Sequence, residues 1–200
     1  MHTFHTAAIE HVNLKIFAKP PAPARLDPAI AIFHRWIQDS VCEELLIDVA
    51  DYRHVPEGPG VILIGHEANY SLDCASGRLG LLYSRKAVLG GNLERKLSVA
   101  LRRTLWAASM MEQDPAFAGS LAFDAGDWEV IFNDRLLAPN TPETWIELQP
   151  LLREFFGRRL GAPCSLSRVG EAGERLRASV QASRQIRVEE LPLEHSAPRG

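Results

Sequence analysis

A strand–helix–hairpin pattern occurs twice in this chain, and a unit of that kind cannot bury its own apolar sheet face. The first copy opens at Val12-Asn13-Leu14-Lys15-Ile16-Phe17 and passes through a loop to Asp27-Pro28 and a helix through Trp36. It continues into the apolar segments Leu45–Val49 and Val61–Ile64. The second opens at Trp128-Glu129-Val130-Ile131-Phe132, reaches Thr141-Pro142 and a helix through Phe156, and ends in Cys164–Val169 and Leu176–Val180. Two such units satisfy each other by sharing one pseudo-symmetric sheet, with a crevice expected between the halves.

Local signals support the individual elements. Val12, Leu14 and Ile16 alternate onto one strand face. Lys19-Pro20-Pro21-Ala22-Pro23 cannot continue a ladder and reads as a stiff loop. Asp27 is a suitable N-cap with Pro28 behind it, and Ile30, Phe33 and Ile37 share one helix face. Glu57-Gly58-Pro59-Gly60 is a turn signal that returns the chain as a strand over Val61–Tyr70. A further strand is predicted over Arg78–Val88. Gly90-Gly91-Asn92 then caps a long helix to Gln113 with an apolar stripe of Leu93, Leu97, Ala100, Leu101, Leu105, Ala108 and Met111. Residues 114–126 read as a loop with at most a short strand near Ser120–Phe123. The outcome is one α+β domain over 11–183, made of units 11–75 and 127–182 with a strand–helix insertion at 78–113. Its sheet is mostly antiparallel, with three helices covering one face. Residues 1–10 read as a flexible lead-in and 184–200 as a mobile tail.

Composition narrows the function classes. The 200 residues can build one core without metal or disulfide, and 46% hydrophobic with 24% charged residues is ordinary for a soluble globular protein. A net charge of −3 gives no general attraction to nucleic acid or to an anionic membrane. No apolar run is long enough to span a bilayer. Cys42, Cys74 and Cys164 are odd in number and widely spaced, so they suggest reduced thiols rather than a disulfide frame or zinc site. Met1 to Glu10 lacks signal-peptide features. The expected compartment is the cytoplasm.

Several polar segments are candidate binding sites. Gly65-His66-Glu67-Ala68-Asn69-Tyr70 ends an apolar strand, where His66 and Tyr70 would share one face and Glu67 the other. The segment lacks the second histidine of a zinc-binding HExxH. Asp48 interrupts the apolar run Leu45–Val49, so burial would demand an arginine partner or a raised pKa. Arg135 and Asn140 lie in the loop before Thr141-Pro142, where a helix N-terminus can hold an anion. His66, Glu67, Tyr70, Asp48, Arg135 and Asn140 are therefore the candidate ligand-binding residues; no residue is assigned as catalytic or metal-ligating. Arg95, Lys96, Arg102 and Arg103 form one basic stretch on the long helix. Cys74, beside Asp73 and near Arg78, would gain thiolate character from a neighbouring cation. Trp36, Trp106, Trp128 and Trp145 all fall in elements and read as core.

The element order over residues 11–182 resembles the duplicated strand–helix–hairpin fold of gyrase-inhibitor-like regulatory domains and SOUL-type haem-binding proteins. The resemblance implies a cleft between units that takes small hydrophobic or cationic ligands, or haem; it carries no individual residue over. The expected function is a small-molecule-binding or regulatory protein with that cleft, its cofactor unassigned and haem open. One alternative is an oligomeric docking module, homo-oligomers included, using sheet edges and the basic helix. Another is an enzyme with His66-centred acid/base chemistry, aided by Glu67 or Asp48 and anchored by Arg135. Nucleic acid and membrane are disfavoured as partners.

Overall fold

The computed structural model of the chain describes residues 8–192 except positions 24 and 118. Residues 1–7 of the expected lead-in and 193–200 of the expected tail lie outside the described residues. Eight strands and three helices follow in the order β1 (Val12–Ala18), α1 (Asp27–Gln38), β2 (Leu46–Tyr52), β3 (Gly60–Gly65), β4 (Ala68–Asp73), β5 (Gly80–Arg85), α2 (Leu93–Gln113), β6 (Phe123–Phe132), α3 (Pro142–Leu160), β7 (Cys164–Val169) and β8 (Leu176–Ala182). They form one antiparallel sheet in the order β2-β3-β4-β5-β1-β6-β8-β7. The fold is α+β, as the sequence implies.

Register shows that all three helices pack on the same sheet face. Leu14 of β1 stands opposite Tyr83 and Val130, which lead on to Tyr70, Leu63 and Ala178. These residues and the helix residues Phe33, Trp36, Leu97, Leu105, Leu152 and Phe156 are all buried in one core. Phe17 and Ile131, on the opposite face, are buried outside that core. Each fully buried aliphatic or aromatic side chain contributes about 1.5–3 kcal/mol to this packing. Asn92 caps α2 by accepting from the Arg95 N–H at 3.0 Å. Thr141 caps α3 in the same way from Thr144, and Gly161 ends it in the left-handed conformation.

Two expectations need correction, the strand over Val61–Tyr70 and the cap of α1. The strand predicted over Val61–Tyr70 is two strands, because Gly65-His66-Glu67 turns the chain. The strand of the segment at 78–113, β5, lies between β4 and β1, in the sheet's interior. The first half is therefore strand–helix followed by four strands, whereas the second keeps the plain strand–helix–hairpin. At α1 the capping position is Leu26, which makes no side-chain cap, and Asp27 is the first helical residue. Ile9, Ile186 and Val188 are buried, and Lys96 Nζ donates to the Ile9 carbonyl at 2.7 Å. The halves meet along the β1–β6 ladder, so the seam between them is backbone hydrogen bonding.

Candidate functional site

Three loops of the first half converge at one end of its sheet: 19–26 between β1 and α1, 53–59 between β2 and β3, and 74–79 between β4 and β5. They surround an open cavity of about 520 Å³ whose lining includes Arg25, Asp27, Arg53, Glu57, Cys74 and Leu79. Backbone bonds tie the loops together, from the Cys74 N–H to the Gly58 carbonyl at 3.1 Å and from Ala18 to Leu79 at 3.0 Å. Glu57 and Ser76 adopt left-handed backbone at φ 52° and 59°. Non-glycine residues in that region cost free energy and cluster at functional loops. Gly60, at φ 63°, must be glycine for a second reason: a Cβ there would stand 2.0 Å from the Leu72 carbonyl oxygen.

A buried ion pair fixes one of these loops from below. Lys15 points to the helix-free face of β1 and is only 3% exposed. Its ammonium pairs with the Asp73 carboxylate and donates to the carbonyls of Arg78 at 2.9 Å and Ala75 at 3.4 Å. Asp73 also accepts from the Ala75 N–H at 3.2 Å. Gly80 leaves the space that Lys15 crosses, since a Cβ there would meet Lys15 Cε at 2.7 Å. Beside this pair, the Arg78 guanidinium lies 3.7 Å over the Phe17 ring and 2.6 Å from Asp127. Removing one partner of a buried pair costs about 3–5 kcal/mol, because the other charge is left unpaired.

The cavity mouth carries a second ionic group. Arg53 reaches both oxygens of Asp51 at 2.8 and 2.7 Å and Asp27 at 2.6 Å. Arg25 Nε donates to Asp27 at 3.0 Å. Hydrogen bonds from Arg25 and then Arg53 hold the Asp27 carboxyl well below the usual carboxylate range. Those from Arg53 lower Asp51 to about 2. Burial, and then the Asp73 charge, push the Cys74 thiol up against the opposing effect of Lys15. The expected thiolate character is thus corrected: Arg78 faces Phe17 and Asp127, and desolvation raises the Cys74 thiol instead of lowering it.

The candidate residues named from sequence are distributed differently. Tyr70 is fully buried on the helix-covered face and donates to Glu44 Oε2 at 3.0 Å. Tyr83 donates to Glu44 Oε1 at 3.3 Å, and Arg103 Nε stands 3.4 Å from that oxygen. Arg85 donates to the Tyr83 hydroxyl at 3.2 Å and pairs with Glu67 at 3.2 Å. Burial, followed by the Glu44 charge, raises both phenols well above their ordinary range. Glu67 and Tyr70 therefore belong to one network, with Glu67 at its solvent end. His66 is exposed in the β3–β4 turn, with its backbone N–H on the Leu45 carbonyl at 2.7 Å.

Asp48 is neither buried nor paired with arginine, which corrects the expectation from its apolar flanks. It is exposed at a bulge of the edge strand β2, faces away from Tyr70, and accepts from the Val49 N–H at 2.8 Å. Arg135 is exposed. Asn140 is buried and donates to the Glu171 carbonyl at 3.0 Å while accepting from Arg168 at 3.0 Å, so it ties the start of α3 to the second half's hairpin. Asp134 of the same loop accepts from the Glu10 and His11 N–H groups at 2.6 and 2.8 Å. Burial opposes its ionisation, but hydrogen bonds from the His11 backbone and ring and the Glu10 backbone outweigh that and lower its pKa.

β4 and β6 are separated by β5 and β1, three strand spacings or about 14 Å. The fold does not bring His66 and Arg135 together. Sequence reasoning missed Lys15, Asp73, Arg53 and Glu44. A lysine within an alternating strand, directly between two buried positions, was the one local sign of the first.

Among the described residues, no three of His, Cys, Asp and Glu are grouped so as to hold a metal ion. None of the described helices is long and apolar enough to cross a membrane. Compared with known protein families, curated proteins and solved structures, the chain matches none of them.

Proposed function

We propose that this protein binds a small molecule at the loop end of its first half, in the cavity bounded by Arg25, Arg53, Glu57, Cys74 and Leu79. The supporting observation is the cavity itself, of ligand-sized volume and shaped by three loops, one anchored by the Lys15–Asp73 pair and joined to a second by the Cys74–Gly58 backbone bond. A site fixed before binding loses little ordering free energy when it is filled. Leu26, Val55 and Leu79 supply an apolar wall. Arg53 is already engaged by two carboxylates, whereas the Arg25 side chain is 81% exposed and among the described residues pairs with Asp27 alone. The ligand class this favours is a small amphipathic acid, its apolar body on Leu79 and its anion at Arg25. The test is a thermal-shift screen of small aromatic and aliphatic acids on the wild-type protein and on Leu79→Trp, which fills the cavity. At least one acid should raise the wild-type Tm and lose its effect in Leu79→Trp. A screen with no effect, or effects that survive the substitution, would refute the reading.

A second reading has its own observation. The β2 edge and its flanks expose Leu45 (66%), Ile47 (53%), Tyr52 and Val55, a pattern suited to pairing with a second copy of the chain. Light scattering would then give a dimer that Ile47→Lys converts to monomer; a monomer at high concentration in the wild type dismisses it.

A further inference from the structure

A second concavity lies on the helix-covered side, remote from the loops above. It is a groove of about 120 Å³ between α2, α3 and the segment after β8, lined by Arg95, Arg102, Arg159, Leu101, Leu105 and Leu191. Arg95, Ser98 and Arg102 recur at spacings of three and four along α2, which places them on one helix face. Arg159 reaches them from α3: its guanidinium donates to Ser98 Oγ at 3.0 Å and lies 5.7 Å from the centre of the Phe155 ring. A hydroxyl and an aromatic ring thus position that cation over the groove, and neither neutralises it.

The groove gathers three arginines of one kind. Arg35, Arg53, Arg78, Arg85, Arg103 and Arg177 each meet a carboxylate. Among the described residues, no carboxylate stands within ion-pair reach of Arg95, Arg102 or Arg159. Arg102 Nε is buried and has no hydrogen-bond partner. Guanidinium groups take oxyanions in bidentate fashion.

We infer that this groove is an oxyanion-binding site, taking a phosphate headgroup on a short apolar body. The arginines hold the oxygens, and Leu101, Leu105 and Leu191 meet the attached carbon chain. The groove is too small for a nucleotide. A soluble phosphomonoester and a phospholipid headgroup share this chemistry. The inference is independent of the cavity in the first half.

The experiment uses the full chain in low-salt buffer free of other multivalent anions, with inorganic phosphate and butyl phosphate as soluble probes. Phosphatidylcholine vesicles with and without phosphatidic acid are the lipid probe. Butyl phosphate should bind more tightly than inorganic phosphate and raise Tm. Arg102→Met and Arg159→Gln should each weaken that binding at least about tenfold. In the absence of anion, Arg102→Met should leave Tm unchanged or higher, because Arg102 has no acidic partner among the described residues to lose; a guanidinium serving only the fold would give a clear loss. Butyl phosphate binding without co-sedimentation assigns the site to soluble phosphomonoesters. Co-sedimentation with acidic vesicles that Arg102→Met abolishes assigns it to lipid. Failure of every probe to bind the wild type, binding that both substitutions leave intact, or marked destabilisation of anion-free Arg102→Met would overturn the inference.

Discussion

Replacing Lys15 by methionine keeps most of the side-chain length and removes the ammonium. Asp73 would then be a buried carboxylate whose remaining donor is the Ala75 N–H at 3.2 Å, and the carbonyls of Ala75 and Arg78 would lose their shared partner. The expected loss of stability is about 3–5 kcal/mol. For a chain of this size each kcal/mol moves Tm by about 2–4 °C, so Tm should fall by about 10 °C. Asp73→Asn should cost a similar amount, since it leaves the ammonium unpaired. Lys15→Met combined with Asp73→Leu removes both charges and should recover most of the loss. The assay is urea unfolding followed by circular dichroism for wild type, Lys15→Met, Asp73→Leu and their combination, with a coupling energy at least as large as one single loss, about 3–5 kcal/mol, expected. Single substitutions costing under about 1 kcal/mol, or additive effects, would refute a structural role for the pair; the estimate rests on its burial.

Three other outcomes follow from the same geometry. Asp51 is lowered from 3.8 to about 2 by Arg53, so its contribution is complete above the unfolded value and disappears as pH falls through about 2. Arg53→Gln should therefore lower Tm at neutral pH and shrink the difference from wild type as pH falls from 4 toward 2, in a Tm-versus-pH series. Burial raises the thiols of Cys42, Cys74 and Cys164, so Ellman's reagent should label native protein at pH 7 more slowly than urea-unfolded protein. Gly60→Ala combines a left-handed backbone with a clash against the Leu72 carbonyl and should lower stability by more than about 1 kcal/mol, as read by chemical unfolding.

Much of the fold was legible locally. Asn92 and Thr141 mark two helix starts, and alternation in Val12–Ile16 and Trp128–Phe132 marks the paired central strands. The turn at Gly65–Glu67 was not legible, because one glycine in an apolar–polar run is a weak stop. The place of β5 between β4 and β1 is a matter of topology that no local pattern carries. Edge position misled in the same way. Leu45–Val49 reads as a buried strand, yet it borders solvent because β2 ends the sheet, and Asp48 is exposed with it. The candidate site was less legible still. Lys15 occupies a position whose alternation says solvent, and only Asp73, 58 residues later, makes burial tolerable. Glu44 precedes an apolar run and looks like a loop residue; its phenol partners lie 26 and 39 residues away. Tyr70 was expected to act on a ligand beside His66, whereas its hydroxyl is given to Glu44 from across the core and His66 stands in the exposed turn.

The central claim is that ligand enters the loop end of the first half rather than the seam between halves. Its most direct test is an NMR titration of isotopically labelled protein with the best acid from the thermal-shift screen. Saturable amide shifts should concentrate in residues 25–27, 53–60 and 74–79, around the cavity. Shifts centred on the β1–β6 ladder, with those three segments unmoved, would contradict the account.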